Sequence, residues 1–136
     1  MFKNILVPVA MDHGEIRDKA IAIAKSLRDG GGSITLLHIL EEIPGWVSVE
    51  LPEGISEKNR DSAKAELNEI AESIGAGVQV VVLYGHAGRS IVEYSDKHKC
   101  DCVVIASHQP GLGDYLLGST AAKVARHADA SVLVVR

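Results

Sequence analysis

The stretch Ala106-Ser107-His108-Gln109-Pro110-Gly111-Leu112-Gly113-Asp114-Tyr115-Leu116-Leu117-Gly118-Ser119-Thr120 joins an apolar run to a helical period. At that junction Gly118 admits close backbone approach, and Ser119 is placed to cap the helix that follows. Unpaired N–H groups at a helix start, beside a small hydroxyl, attract an anion and phosphate above all. A plain glycine turn with an ordinary N-cap has the same spacing, and spacing alone leaves both readings open. His108 stands where the apolar run ends, to contact a ligand or to brace the loop. Arg89 follows another apolar run, either as a phosphate contact or as a solvated residue at a helix start.

Other chemistries lack their residues. A dinucleotide site needs Gly-x-Gly-x-x-Gly after the first strand, where only Gly14 is found, and no Gly-x-x-x-x-Gly-Lys-[Ser/Thr] is present. Ser107 and His108 are adjacent in sequence, which is not the geometry of a nucleophile and its base. A phosphoacceptor domain needs acidic residues at the ends of strands one and three, where Ala10 and Tyr84-Gly85 stand. Cys100 and Cys102 are separated by a single residue, a spacing at which a disulfide is not expected, and a metal site would need more ligands at matched spacing. No catalytic residue and no metal site is assigned. His38, inside an apolar run, reads as a core imidazole bonded to a neighbour, and His98 in Lys97-His98-Lys99 reads as a helix C-terminus.

The elements that must position these residues alternate. Apolar, β-branched runs at 4–9, 33–40, 78–84, 102–107 and Ser131–Val135 are near-continuous, as strands covered on both faces are. Between them Ile16, Ala20, Ile23, Ala24 and Leu27 form one helical stripe, which Gly30, Gly31 and Gly32 are expected to stop. Ala63, Leu67, Ile70, Ala71 and Ile74 form a second, with Ser56 as its cap and Gly75 at its end. Shorter helices are expected over 88–97 and 119–127. Strict alternation predicts an α/β fold, a parallel sheet with helices on both faces. Ligands then bind beyond the carboxyl ends of the strands, at the switch point. The long loop 41–55 carries Trp46 and has the length of a lid or an interaction segment.

Composition bounds the function. The chain has 136 residues, enough for one domain spanning 1–136 with a core of its own. A net charge of −4 argues against nucleic acid as a partner. Apolar stretches of five to seven residues, as at 5–11, are too short for a membrane span or a signal-peptide core, so no membrane partner and a cytoplasmic location are expected.

The segments Lys3-Asn4-Ile5-Leu6-Val7-Pro8-Val9, Ile34-Thr35-Leu36-Leu37-His38-Ile39, Tyr84-Gly85-His86-Ala87, Leu116-Leu117-Gly118-Ser119 and Ser131-Val132-Leu133-Val134-Val135 resemble the universal stress protein family over essentially the whole chain. The resemblance implies a five-stranded sheet of order 3-2-1-4-5, homodimers paired through the last strand, and often ATP or another adenine nucleotide at the switch point. Mg²⁺ enters only with that nucleotide. By resemblance, Pro8, Val9 and Ile39 line a slot for the base, while Ala106, Ser107, Gly118, Ser119 and Thr120 hold ribose and phosphates; His108 and Arg89 stay candidates from their positions alone. The chain departs from the tight ATP-binding pattern of Gly-x-x-Gly, nine residues and Gly-Ser/Thr. Ala106 and Gln109 replace the two glycines, residues 110–117 make the loop one residue shorter, and Ala10 replaces a frequent Asp. The Ser-His-Gln-Pro run resembles short bacterial members with Ser-His-Arg-Pro. The expected function is a nucleotide-holding module in a stress response. The alternative is a dimeric interaction protein with a vestigial pocket, and a slow ATPase has the least support.

Overall fold

The computed structural model describes residues 1–11, 14–41, 55–107 and 117–136. Strands and helices alternate among them as β1 (Phe2–Pro8), α1 (Gly14–Leu27), β2 (Arg28–Leu40), α2 (Ile55–Ile74), β3 (Val78–Tyr84), α3 (Ala87–Lys97), β4 (Cys102–Ala106), α4 (Ser119–His127) and β5 (Ser131–Val135). All strand pairs are parallel, in the order β3-β2-β1-β4-β5. Trp46 and most of its loop, Asp12, His13 and the stretch 108–116 lie outside the described residues.

Strand alternation divides the core into two layers, because successive side chains point to opposite faces. Ile5, Val7, Ile34, Leu36, Cys102 and Val104 pack under α1 and α2, against Ala20, Ala24 and Leu67. Leu6, Leu37, Val103 and Ile105 pack on the other side, against Ile91 of α3 and Val124 of α4. The two-sided burial explains why the strands read as continuous apolar runs.

One boundary differs from expectation. Gly30, Gly31 and Gly32 do not follow α1 as a stop; α1 ends at Leu27 and β2 starts at once with Arg28. Phe2 pairs with Arg28 and Asn4 with Ser33, so two steps along β1 match five along β2. The surplus is absorbed by the glycines: Gly31 takes φ +82, and a Cβ on Gly32 would sit 3.0 Å from the Asp29 carbonyl. Ser56 likewise falls inside α2, which starts at Ile55.

The central strands are pinned at one end and parted at the other. The Asp101 carboxylate accepts the backbone N–H groups of Lys3 (2.8 Å) and Asn4 (3.0 Å), and the Asp101 N–H donates to the Asn4 carbonyl. Asn4 Nδ2 also donates to the carbonyls of His98 and Lys99, the turn before β4. Toward the carboxyl ends β1 and β4 register only at Ile5↔Cys102 and Leu6↔Val103, while β1 and β2 continue to Pro8↔Leu37. Beyond that point the Val9 N–H bonds the Leu37 carbonyl (2.8 Å), and the Ser107 N–H bonds the Val135 carbonyl (2.8 Å). The end of β1 therefore leans on β2, the end of β4 leans on β5, and a crevice opens between them at the switch point.

Asp101→Ala removes the acceptor of two backbone N–H groups, and hydrogen bonds to a charged group are worth about 2 kcal/mol. An unfolding free energy lower by that amount, seen as an earlier urea midpoint at unchanged slope, is expected and is partly recovered in Asp101→Asn; an unchanged midpoint would contradict the pinning role.

Cys100 and Cys102 are buried free thiols. Burial, reinforced by the negative charge of Asp101, raises both; Cys102 is pushed up to about 11. A thiol in the unfolded chain ionises near about 8.5, so the folded chain holds its proton longer. The associated stability is complete below that pH and is lost as pH rises toward about 11. At pH 8 a thiol-exchange reagent is expected to label the native protein no faster than it unfolds. Immediate labelling of either cysteine would show that the thiols are not shielded.

Candidate functional site

A cavity of about 260 Å³ occupies the crevice. Its floor is the end of β1, from Val7 to Ala10, where Pro8 has no N–H to offer a neighbouring strand. On the β2 side Leu37, His38 and Ile39 give an apolar wall with one imidazole. His38 Nδ1 lies 2.7 Å from the Val9 carbonyl. A carbonyl only accepts, so Nδ1 carries the proton and the neutral ring has Nε2 as an acceptor. The expectation of a bonded imidazole is met, but the ring stands on the cavity wall and is half-buried.

The β4 side is more polar. Ala106 and Ser107 end the strand, and Gly118, Thr120 and Ala121 begin α4. The Gly118 N–H donates to Ser107 Oγ at 2.9 Å, closing the two ends of the 108–116 stretch on each other. The hydroxyl is thereby used as an acceptor, and its own proton stays available to donate. The first helical bond runs from the Ala122 N–H to the Gly118 carbonyl, so the N–H groups of Ser119, Thr120 and Ala121 have no partner within the helix. The N-cap is Gly118, with no side-chain cap bond, and Ser119 is the exposed first residue of α4. Gly118 has φ −58, so it is not in the left-handed region; it is buried against the strand end.

From below, Ala87 and Ile91 of α3 close the cavity. The two helices of this layer approach closely because Gly88 has no side chain; a Cβ there would lie 2.9 Å from Lys123 Cδ.

Of the residues singled out in sequence, Pro8, Val9, Ile39, Ala106, Ser107, Gly118 and Thr120 line this one cavity. Ser119 and Arg89 are not among its lining residues, and Arg89 is exposed on α3. His108 lies outside the described residues. Arg17, beside Ile16 and Ala20 on the wall made by α1, was not expected there. The buried residues of α1 are Ala20, Ile21 and Ala24, which with Arg17 fall at i, i+3, i+4 and i+7. That spacing was the available signal; the stripe of Ile16, Ala20, Ile23, Ala24 and Leu27 takes the apolar residues alone and leaves Arg17 out. Among the described residues, no group of three or more His, Cys, Asp or Glu could hold a metal ion, and no helix is long and apolar enough to cross a membrane.

Comparison with known proteins agrees with this architecture. The model of the universal stress protein family matches residues 1–136. Universal stress protein G of Escherichia coli O157:H7 is 32% identical over 145 residues, covering 100% of both chains. The structure of universal stress protein UspA from Lactobacillus plantarum has a TM-score of 0.79 at 20% identity, covering 99% of this chain and 98% of that one. A universal stress protein in complex with cAMP gives a TM-score of 0.69 at 21% identity, covering 98% of each chain. At these identities the two structures establish the shared fold.

Proposed function

The chain belongs to the universal stress protein family, and from that membership we propose that its crevice holds an adenine nucleotide and that the protein serves a stress response as a binding module. The observation that carries the reading is the polarity of the cavity. Its floor and β2 side, with Pro8, Val9 and Ile39, suit a flat apolar base, and His38 Nε2 is an acceptor for an exocyclic amine. Its β4 side supplies the Ser107 and Thr120 hydroxyls and the free N–H groups of α4, which suit ribose and phosphate. The cAMP complex of a structural relative supports the ligand class. Mg²⁺ enters with the phosphates of a bound nucleotide. Ala10 on the cavity floor has no polar group to offer a ribose. One missing polar contact costs ~1–3 kcal/mol, so micromolar or weaker affinity is expected.

Calorimetric titration with AMP, ADP and ATP tests this reading. Saturable binding is expected, and Gly118→Val, if circular dichroism shows it folded, is expected to abolish it by filling the buried junction with a branched side chain. Ala10→Asp is expected to tighten binding about tenfold. A wild-type chain that binds none of the three and co-purifies with no nucleotide would leave the dimeric interaction protein as the better account.

We further propose self-association through β5. Among the described residues that strand ends the sheet and one row of its backbone groups has no strand partner, and Leu133 is 40% exposed on it. Antiparallel pairing of two such edges would cover both features. Sedimentation at micromolar concentration is expected to give a dimer, and Val134→Pro a monomer or aggregate, since proline lacks a ladder donor. A monomeric wild type would rule this out.

A further inference from the structure

Arg17 is the only residue lining the cavity, among the described ones, that carries a permanent charge, and no described lining residue is a carboxylate. Its side chain is 18% exposed, and its Nε is shielded from water with no hydrogen-bond partner. Among the described residues its ion pair is with Asp18 Oδ1, 3.5 Å from Nε, on a side chain that is 72% exposed. A pair of that kind contributes little, because water screens the carboxylate and competes for it. A desolvated guanidinium donor left unpaired is costly, and the cost is relieved when an anion arrives.

The placement of α1 says which part of a ligand it would meet. α1 packs on β4 and β5 as well as β1, and Lys19 Nζ donates to the Arg136 carbonyl at 2.8 Å, just past the end of β5. The first turns of α1 therefore lie over the carboxyl ends of β4 and β5. That is the side of the crevice bearing Ser107 and the start of α4. A planar guanidinium with five donors matches phosphate oxygens better than it matches a sugar or a base.

We propose that Arg17 is a specificity-determining residue that contacts the ligand's phosphate and makes the crevice select phosphorylated adenine nucleotides over adenosine. This rests on the nucleotide reading above and adds the counter-ion that distinguishes nucleotide from nucleoside. The chain is acidic, at −4 overall, so a local positive charge is what brings an anion to this end of the sheet.

The test is calorimetry of the full chain with AMP and, separately, adenosine, for wild type, Arg17→Gln and Arg17→Lys, with thermal melts of each. In Arg17→Gln, AMP is expected to weaken at least about tenfold while adenosine stays within about twofold; Arg17→Lys is expected to recover part of the AMP affinity, keeping the charge without the fork. If Arg17→Gln lowers the melting temperature, Arg17→Lys carries the comparison, because a merely structural role would move both ligands together. AMP binding unchanged in Arg17→Gln, or equal losses for AMP and adenosine, would overturn the inference and leave the nucleotide reading standing. A wild type that binds neither ligand would overturn both.

Discussion

The structure depends on how β1 and β4 meet. They are adjacent in space and distant in sequence, and Asp101 ties their amino ends together through two backbone N–H groups of β1. Their carboxyl ends are drawn apart, β1 toward β2 through Val9 and Leu37 and β4 toward β5 through Ser107 and Val135. These bonds continue the outer pairings past the point where the β1–β4 register ends. The crevice is thus a consequence of where the ladder stops, and it needs no inserted domain or lid to exist.

Every element that lines the cavity is held by that arrangement. The two core layers fix α1 above and α3 and α4 below, so Arg17, Ile91 and Thr120 approach the same opening from different sides. Ser107 and Gly118 bind each other across the 108–116 stretch, which fixes the start of α4 against the end of β4. Among the described residues, the donors of the site are the Ser107 and Thr120 hydroxyls, the Arg17 guanidinium and the first N–H groups of α4. Such a site suits holding an anion in place.

Much of this was legible in the residues, for definable reasons. β3 matches its expected limits because Gly77 and Gly85 bound the apolar run at 78–84, and β5 matches because Ser131 opens its run and Arg136 follows it. The switch-point rule points to the strand ends, the family resemblance adds Pro8, Val9, Ile39 and Ser107, and all four line the cavity. Gly30 to Gly32 misled because three glycines stop a helix in most settings, whereas here they also carry the irregular start of β2, which needs a partner strand to be seen. Ser119 has the chemistry of a cap, but Gly118 occupies the capping position. Arg17 was hidden because charge is an indicator of exposure only on average; its helical phase with Ala20, Ile21 and Ala24 was the better guide.

The most direct test of the central claim is a map of amide chemical-shift changes in the full chain on addition of AMP. The account predicts that the changes concentrate where the central strands part, at Val9, Ile39, Ser107 and Thr120, with the pinned ends at Lys3 and Asp101 unmoved. Shifts gathered at β5 or at the amino ends of the strands, with none in the crevice, would contradict it.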